Sequence, residues 1–263
     1  IVGGRGDKTA SKTLNRATDT TRQPGSTFKI LASYSAALDA GGLTLASVQD
    51  DAPYTYAGAN GKSVSNYDKR YRGFTTLREA ITDSINIVTV KTLAQVGVSL
   101  GWQYVQEYGF TTVDSRDMNE ALALGGITQG VSNLELTAAY AAIANQGTYI
   151  KPKFYTKILD HDGNVLIDNT TPESHTVIKD TTAWLLTSAM EDVMTSGTGT
   201  SAYFGSSMAQ AGKSGTTTSS RDALFAGYTP YYTCAVWGGY DDNAMQKGSD
   251  TNYPKRIWKA VMK

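Results

Sequence analysis

Apolar residues fall into blocks whose spacing changes along the chain. From Ser26 onward Phe28, Ile30, Leu31, Ala32, Tyr34, Ala36, Ala37 and Leu38 leave almost no polar face, and Gly41-Gly42 ends the run. That pattern predicts a helix buried on most sides, delivered by the Pro24-Gly25 turn. Residues 50 to 73 are rich in Tyr, Gly, Asn and Asp and read as loop. Helical segments follow over Leu77 to about Asp83, about Ile87 to Val96 and Trp102 to Tyr108, the last closed by Gly109. Valine and isoleucine weaken the second of these as a helix former. Ser132-Asn-Leu-Glu135 has the form of a capping box opening the run Leu136 to Ala144, which Gly147 ends.

Beyond Tyr149 the spacing becomes that of strands. Phe154 to Leu159 and Val165 to Ile167 flank Asp162-Gly163, a hairpin signal. Asp180 is placed as the cap of an amphipathic helix carrying Trp184, Leu185, Leu186, Ala189, Val193 and Met194. Strands are predicted at about Ala209 to Thr217, Leu224 to Tyr228 and Tyr232 to Tyr240. Pro254 opens a last helix with Ile257, Trp258 and Val261 on its apolar face; Trp184 and Trp258 are both assigned to the core. Ile1-Val2 reads as a short opening strand. The expected fold is α+β and two-lobed: an antiparallel sheet covered by the first and last helices, with a mostly helical second lobe. One domain spans residues 1–263, its sheet lobe at about 1–25 and 148–263. The helical lobe covers about 26–147, with the Ser26 helix at the interface.

Composition narrows the function classes. Twenty-four basic residues balance twenty-four acidic ones, so the basic excess that nucleic-acid binding requires is missing. The single cysteine, Cys234, excludes an internal disulfide and reads as a small buried hydrophobe. His161 and His175 have no third ligand spaced to join them, so neither a metal nor another cofactor is expected. No apolar run approaches the length of a membrane span, and the opening Ile1-Val-Gly-Gly, without an initiator Met, has the look of an excised piece.

Three short patterns carry candidate chemistry. Ser26-Thr-Phe-Lys29 places a hydroxyl and an amine one helical turn apart on a common face. Serine needs a base to become a nucleophile, and an apolar helix can lower a lysine pKa enough to supply one. Ser84 and Asn86, two residues apart, can converge on one ligand only if the backbone turns between them. In Lys213-Ser214-Gly215-Thr216, read as strand, alternation sends Lys213 and Gly215 one way and the two hydroxyls of Ser214 and Thr216 the other. Taken singly, each is equally a cap, a turn or a strand edge. A phosphate loop is excluded because Ser207 stands where that motif needs glycine.

In order, Ser-x-x-Lys, Ser-x-Asn and Lys-Ser-Gly match the signature of penicillin-interacting serine enzymes, with serine in the third motif where threonine is common. The chain resembles the transpeptidase domain of class A, bifunctional penicillin-binding proteins. The likeness includes Arg22-Gln-Pro-Gly-Ser-Thr-Phe-Lys29, Thr82-Asp-Ser-Ile-Asn86, Ala123-Leu-Gly-Gly126 and Gly212-Lys-Ser-Gly-Thr-Thr217 with Phe225-Ala-Gly-Tyr-Thr-Pro230. It extends over essentially the whole chain.

The resemblance implies a D,D-transpeptidase that crosslinks peptidoglycan stem peptides and is acylated by β-lactams. By it, Ser26 is the nucleophile, Lys29 its base, and Ser84 with Lys213 the proton relay to the departing D-alanine. Asn86, Ser214, Gly215 and Thr216 form the substrate-binding set, and the backbone N–H groups of Ser26 and Thr216 the oxyanion hole. It also implies an upstream glycosyltransferase domain and membrane anchor in the parent chain, at the outer face of the bacterial cytoplasmic membrane. Alternatives are a D,D-carboxypeptidase or β-lactamase using water as acceptor, a β-lactam sensor, and a non-catalytic structural domain. Glu120 and Glu135, the obvious acids of the middle segment, read as caps or packing partners, and Tyr54, Tyr56, Tyr67 and Tyr71 as candidate cleft walls.

Overall fold

The buried helix expected from Ser26 is wound in three ways in the computed structural model, which describes every residue except 5, 6, 8, 9 and 58–60. A 3-10 turn, Gly25–Thr27, leads into a π-helix, Lys29–Tyr34, and then into α1, Ser35–Asp39. All six π-helical residues are buried. Packing on every side stabilises this segment more than intrinsic propensity does. Turns of this wider kind are rare and concentrate at functional sites.

Residues 50 to 73, expected as loop, and the few residues on either side contain four short strands. β1 (Val48–Asp51) pairs antiparallel with β4 (Gly73–Thr76), and β2 (Tyr54–Thr55) with β3 (Ser63–Val64). Strands of two to four residues show too little alternation to stand out from a Gly- and Asp-rich background. The capping box of Thr76 and Glu79 opens α2, Leu77–Thr82. Helices α3 (Asn86–Val96) and α4 (Val98–Glu107) follow. In α3, complete burial of Ile87, Val88, Val90 and Leu93 overrides the modest propensity of its β-branched residues. The Ser132–Glu135 box opens α5, Asn133–Ala144, as its sequence predicts.

In the last third, β5 (Thr148–Ile150) pairs with β8 (Ser174–Thr176), and β6 (Lys157–Leu159) forms the expected hairpin with β7 (Val165–Asp168). Then come α6 (Asp180–Thr195), β9 (Ala211–Thr216), β10 (Asp222–Tyr228), β11 (Thr233–Gly239) and α7 (Tyr253–Met262). The three long strands form one antiparallel sheet in the order β11-β10-β9. Alternation along β10 divides two cores. Leu224, Ala226 and Tyr228 join the main core of the helical lobe, while Phe225 packs with Met194, Ala202 and Trp258 of α7. Helix α5 also lies against the sheet, and the first helical segment meets β9 through its Gly25–Thr27 turn. The architecture is the α+β, two-lobed arrangement of antiparallel strands flanked by helices.

Five local expectations are corrected. Asp180 is the first helical residue and not the cap; its carboxylate accepts from Thr181 N–H, and Lys179 at the cap position makes no side-chain capping bond, its Nζ donating instead to the Asp39 carbonyl. Trp184 is exposed because the buried stripe of α6 runs through Thr182, Ala183, Leu186, Ala189, Met190 and Val193, and Trp184 falls beside it. The same argument leaves Ile257 and Val261 exposed on α7, where Pro254 and Trp258 form the inward face. Ile1 and Val2 are exposed and lie in no strand, and Cys234 is half-buried.

Candidate active site

Three elements meet where the two lobes face each other. Ser26 sits in the middle of the 3-10 turn, and Lys29 opens the π-helix that follows it. The turn is pressed against β9. A Cβ on Gly215 would lie 2.7 Å from the Pro24 carbonyl oxygen, so only glycine lets the strand come this close. This contact brings Ser26 beside Gly215 and Thr216. Tyr140 Oη fixes the turn from below by donating to the Thr27 carbonyl at 2.8 Å.

The second element is the break between α2 and α3. Ser84 has φ of 57°, a left-handed conformation that a non-glycine residue adopts only under constraint. This is the turn that Ser84 and Asn86 require in order to face one ligand. Both converge on Lys29, whose Nζ donates to the Ser84 carbonyl at 2.6 Å, to Asn86 Oδ1 at 2.6 Å and to Ser84 Oγ at 3.2 Å. From β9, Lys213 Nζ donates to the same Ser84 hydroxyl at 2.8 Å and to the Ser214 carbonyl at 3.1 Å. Ser84 Oγ thus joins two lysines, both without exposed surface.

Cross-strand pairing confirms the alternation expected for β9: Lys213 lies opposite Ala226 and Ser214 opposite Phe225. Half-buried Ser214 donates to Thr198 Oγ1 at 2.8 Å, and Thr216 is exposed. Thr198 belongs to the glycine-flanked loop after α6, and its N–H donates to the Thr82 carbonyl at 3.3 Å, tying that loop to the Ser84 turn. No periodicity or motif used above singled out Thr198; the hydroxyl in Gly197-Thr-Gly199 was the available signal.

Burial governs the electrostatics. Desolvation pushes the Lys29 pKa well below its ordinary value, and the charge of Lys213 pushes it further the same way. Lys213 is pulled down to about 7, first by burial and then by the charge of Lys255 on α7. Among the described residues no carboxylate bonds to either amine. Glu120 accepts from Tyr54 Oη at 3.0 Å and Ala57 N–H at 3.0 Å, and Glu135 caps α5 while binding Thr111. Tyr56 is half-buried, whereas Tyr67 and Tyr71 are exposed.

Residues 3–263 match the family model described as the penicillin binding protein transpeptidase domain. The chain belongs to that family. Among curated proteins, penicillin-binding protein 1F of Bacillus subtilis is 39% identical over 99% of this chain, which spans 36% of that protein. Penicillin-binding protein 1A of Clostridium botulinum (strain Langeland) is 36% identical over 100% of this chain and 33% of its own length. The chain therefore spans about a third of these relatives. Among solved structures, penicillin-binding protein 1A from Haemophilus influenzae superimposes with a TM-score of 0.82 at 28% identity, covering 94% of this chain and 43% of that one. Penicillin-binding protein PonA1 from Mycobacterium tuberculosis gives 0.83 at 25% identity, over 98% and 71%. The penicillin-binding fold and a serine enzyme of this general type follow from these likenesses. No helix among the described residues is long and apolar enough to cross a membrane.

Proposed function

We propose that this transpeptidase domain crosslinks peptidoglycan stem peptides by acyl transfer through Ser26. The observation that carries the reading is the buried, depressed Lys29 amine joined through one serine hydroxyl to Lys213. A neutral amine has two N–H groups and one lone pair. Two carbonyl oxygens, of Ser84 and Asn86, stand 2.6 Å away to take the two N–H groups, which leaves the lone pair for the Ser26 proton.

Ser26 Oγ adds to the carbonyl between the two D-alanines of the donor stem, and Lys29 takes its proton. The oxyanion lies between the N–H groups of Ser26 and Thr216, adjacent because the turn packs on Gly215. Once it holds the Ser26 proton, Lys29 has a third N–H to turn to Ser84 Oγ, 3.2 Å away, while Lys213 Nζ donates to the same hydroxyl at 2.8 Å; Ser84 gives its own proton to the leaving D-alanine nitrogen and takes one back from Lys29. An amine of a second stem then attacks the acyl-enzyme, the relay runs in reverse, and Ser26 is restored. Ser214 and Thr216 face the donor carboxylate with Lys213 nearby, and the N–H of Asn86 not engaged with Ser65 meets the donor backbone. In the parent protein this chemistry belongs at the outer face of the cytoplasmic membrane, alongside a glycosyltransferase domain.

Hydrolysis is the weaker reading, since Glu120 and Glu135 are both committed to structural bonds and neither is free to activate water. Intact mass after exposure to benzylpenicillin tests the site: one penicilloyl adduct is expected, mapping to Ser26 and absent from Ser26→Ala. D-Alanine release that does not respond to an added acceptor amine would assign the domain to the carboxypeptidases.

A further inference from the structure

Asp51 is a carboxylate with no exposed surface, and the reaction above makes no use of it. Its oxygens accept from Asn66 Nδ2 at 2.8 and 3.0 Å and from Arg72 N–H at 2.9 Å, with the Arg72 guanidinium 3.9 Å away. Asn66 is itself 1% exposed and fully bonded: Nδ2 also donates to the Arg70 carbonyl, and Oδ1 accepts from the backbone N–H groups of Asn86 at 3.0 Å and Ile87 at 3.2 Å. The residue at the cap position of α3, Ile85, has no side chain able to do this. The cap therefore comes from twenty residues upstream.

The polarity of each bond in this chain is forced. A carboxylate can only accept, so the NH2 end of Asn66 must face Asp51 and its oxygen must face α3. The neighbouring Ser65 carbonyl accepts from Asn86 Nδ2 at 2.8 Å, which turns Asn86 Oδ1 toward Lys29. We infer that Asp51 and Asn66 are positioning residues for the Lys29 base, fixing through the start of α3 the direction in which Asn86 presents its oxygen to the amine. The inference rests on Lys29 acting as that base. Without the lock, the start of α3 and the Asn86 amide are free to shift, and the Lys29 lone pair loses its aim.

Asp51→Asn keeps the shape and places an NH2 against the Asn66 NH2 in one orientation and against the Arg72 N–H in the other. Stopped-flow acylation by a fluorescent penicillin is expected to show a limiting rate about 10- to 100-fold lower, the order of a misaligned catalytic group. Penicillin bound per protein should stay the same, and hydrogen exchange at the Asn86 and Ile87 amides should quicken. Asn66→Ser, which shortens the cap without opposing two donors, should give the same readings. An unchanged limiting rate in a folded variant, a loss seen only in stoichiometry, or unaltered exchange at both amides overturns the inference. Wild-type protein that never forms the Ser26 adduct overturns the transpeptidase reading instead, and the exchange measurement still decides on the lock.

Discussion

Lys29 and Lys213 are two ammonium-type groups placed where neither has a carboxylate to balance it. Their value lies in being hard to protonate. Lys29→Arg keeps a cation and a long stem but installs a guanidinium that does not deprotonate. Acylation by penicillin is expected to slow by at least about 100-fold, the usual scale of a general base, measured by stopped flow. The cost of burial appears in stability too. Lys213 has a folded pKa of about 7, below its unfolded value, so the unfolded chain holds more protons from about pH 7 up to the ordinary lysine range near 10.4. Stability contributed at this position therefore rises with pH across that window. Lys213→Met should melt higher than wild type at pH 7, and the gap should narrow toward pH 10 in a calorimetric series. A gap independent of pH would mean that Lys213 is not titrating there. At this scale the sequence was highly legible, because Ser26, Lys29, Ser84 and Lys213 each stand in a local motif. Asp51 and Asn66 were hidden because their partners are far away in the chain, and nothing in Val48-Gln-Asp-Asp51 distinguishes the buried acid from its neighbour.

Helix α3 and the turn before it show how elements convert motifs into geometry. Ser84 and Asn86 share no helical face, and the left-handed Ser84 residue solves this by ending α2 and redirecting the chain. On the other side of the site, Gly125 has φ of +74°, and a Cβ there would come within 2.5 Å of the Gly25 carbonyl oxygen and 2.7 Å of its nitrogen. Both are backbone atoms of the turn that carries Ser26, and they cannot swing away. Gly125→Ala should destabilise the domain by about 1–3 kcal/mol from the backbone conformation alone, with the clash adding to it. Acylation should fall with it, even at temperatures where the variant stays folded. Denaturant titration paired with penicillin titration checks this; full activity in a destabilised variant would separate the turn from the site. The long helices and the three sheet strands were readable because each carries enough residues to show a period. The π-helical winding was not, since six buried positions in a row look alike whether the turn holds 3.6 residues or more. The short strands of residues 48 to 76 failed for want of length.

Across the whole molecule the formal charge is zero, and the two buried amines of the site, Lys29 and Lys213, are both held below the ordinary lysine pKa. The β6–β7 hairpin turns its apolar residues outward: Leu159, Val165, Leu166 and Ile167 are exposed on a ribbon that, among the described residues, has two strands. Its alternation could be read from sequence, but its exposure could not, because a hairpin signal says nothing about what lies on either side. The depressed Lys213 pKa has a thermodynamic consequence of its own. An amine poised at about pH 7 is roughly half protonated in neutral buffer, and an anionic donor arriving beside it makes the protonated form more favourable. Binding must then draw a fraction of a proton, up to about one half at pH 7, out of the surrounding solution. Titration calorimetry of Ser26→Ala with a D-Ala-D-Ala peptide, run in phosphate and again in Tris, should give enthalpies that differ by that fraction of the difference in buffer ionisation heats. Identical enthalpies in the two buffers would show that the ligand carboxylate and Lys213 do not sense each other.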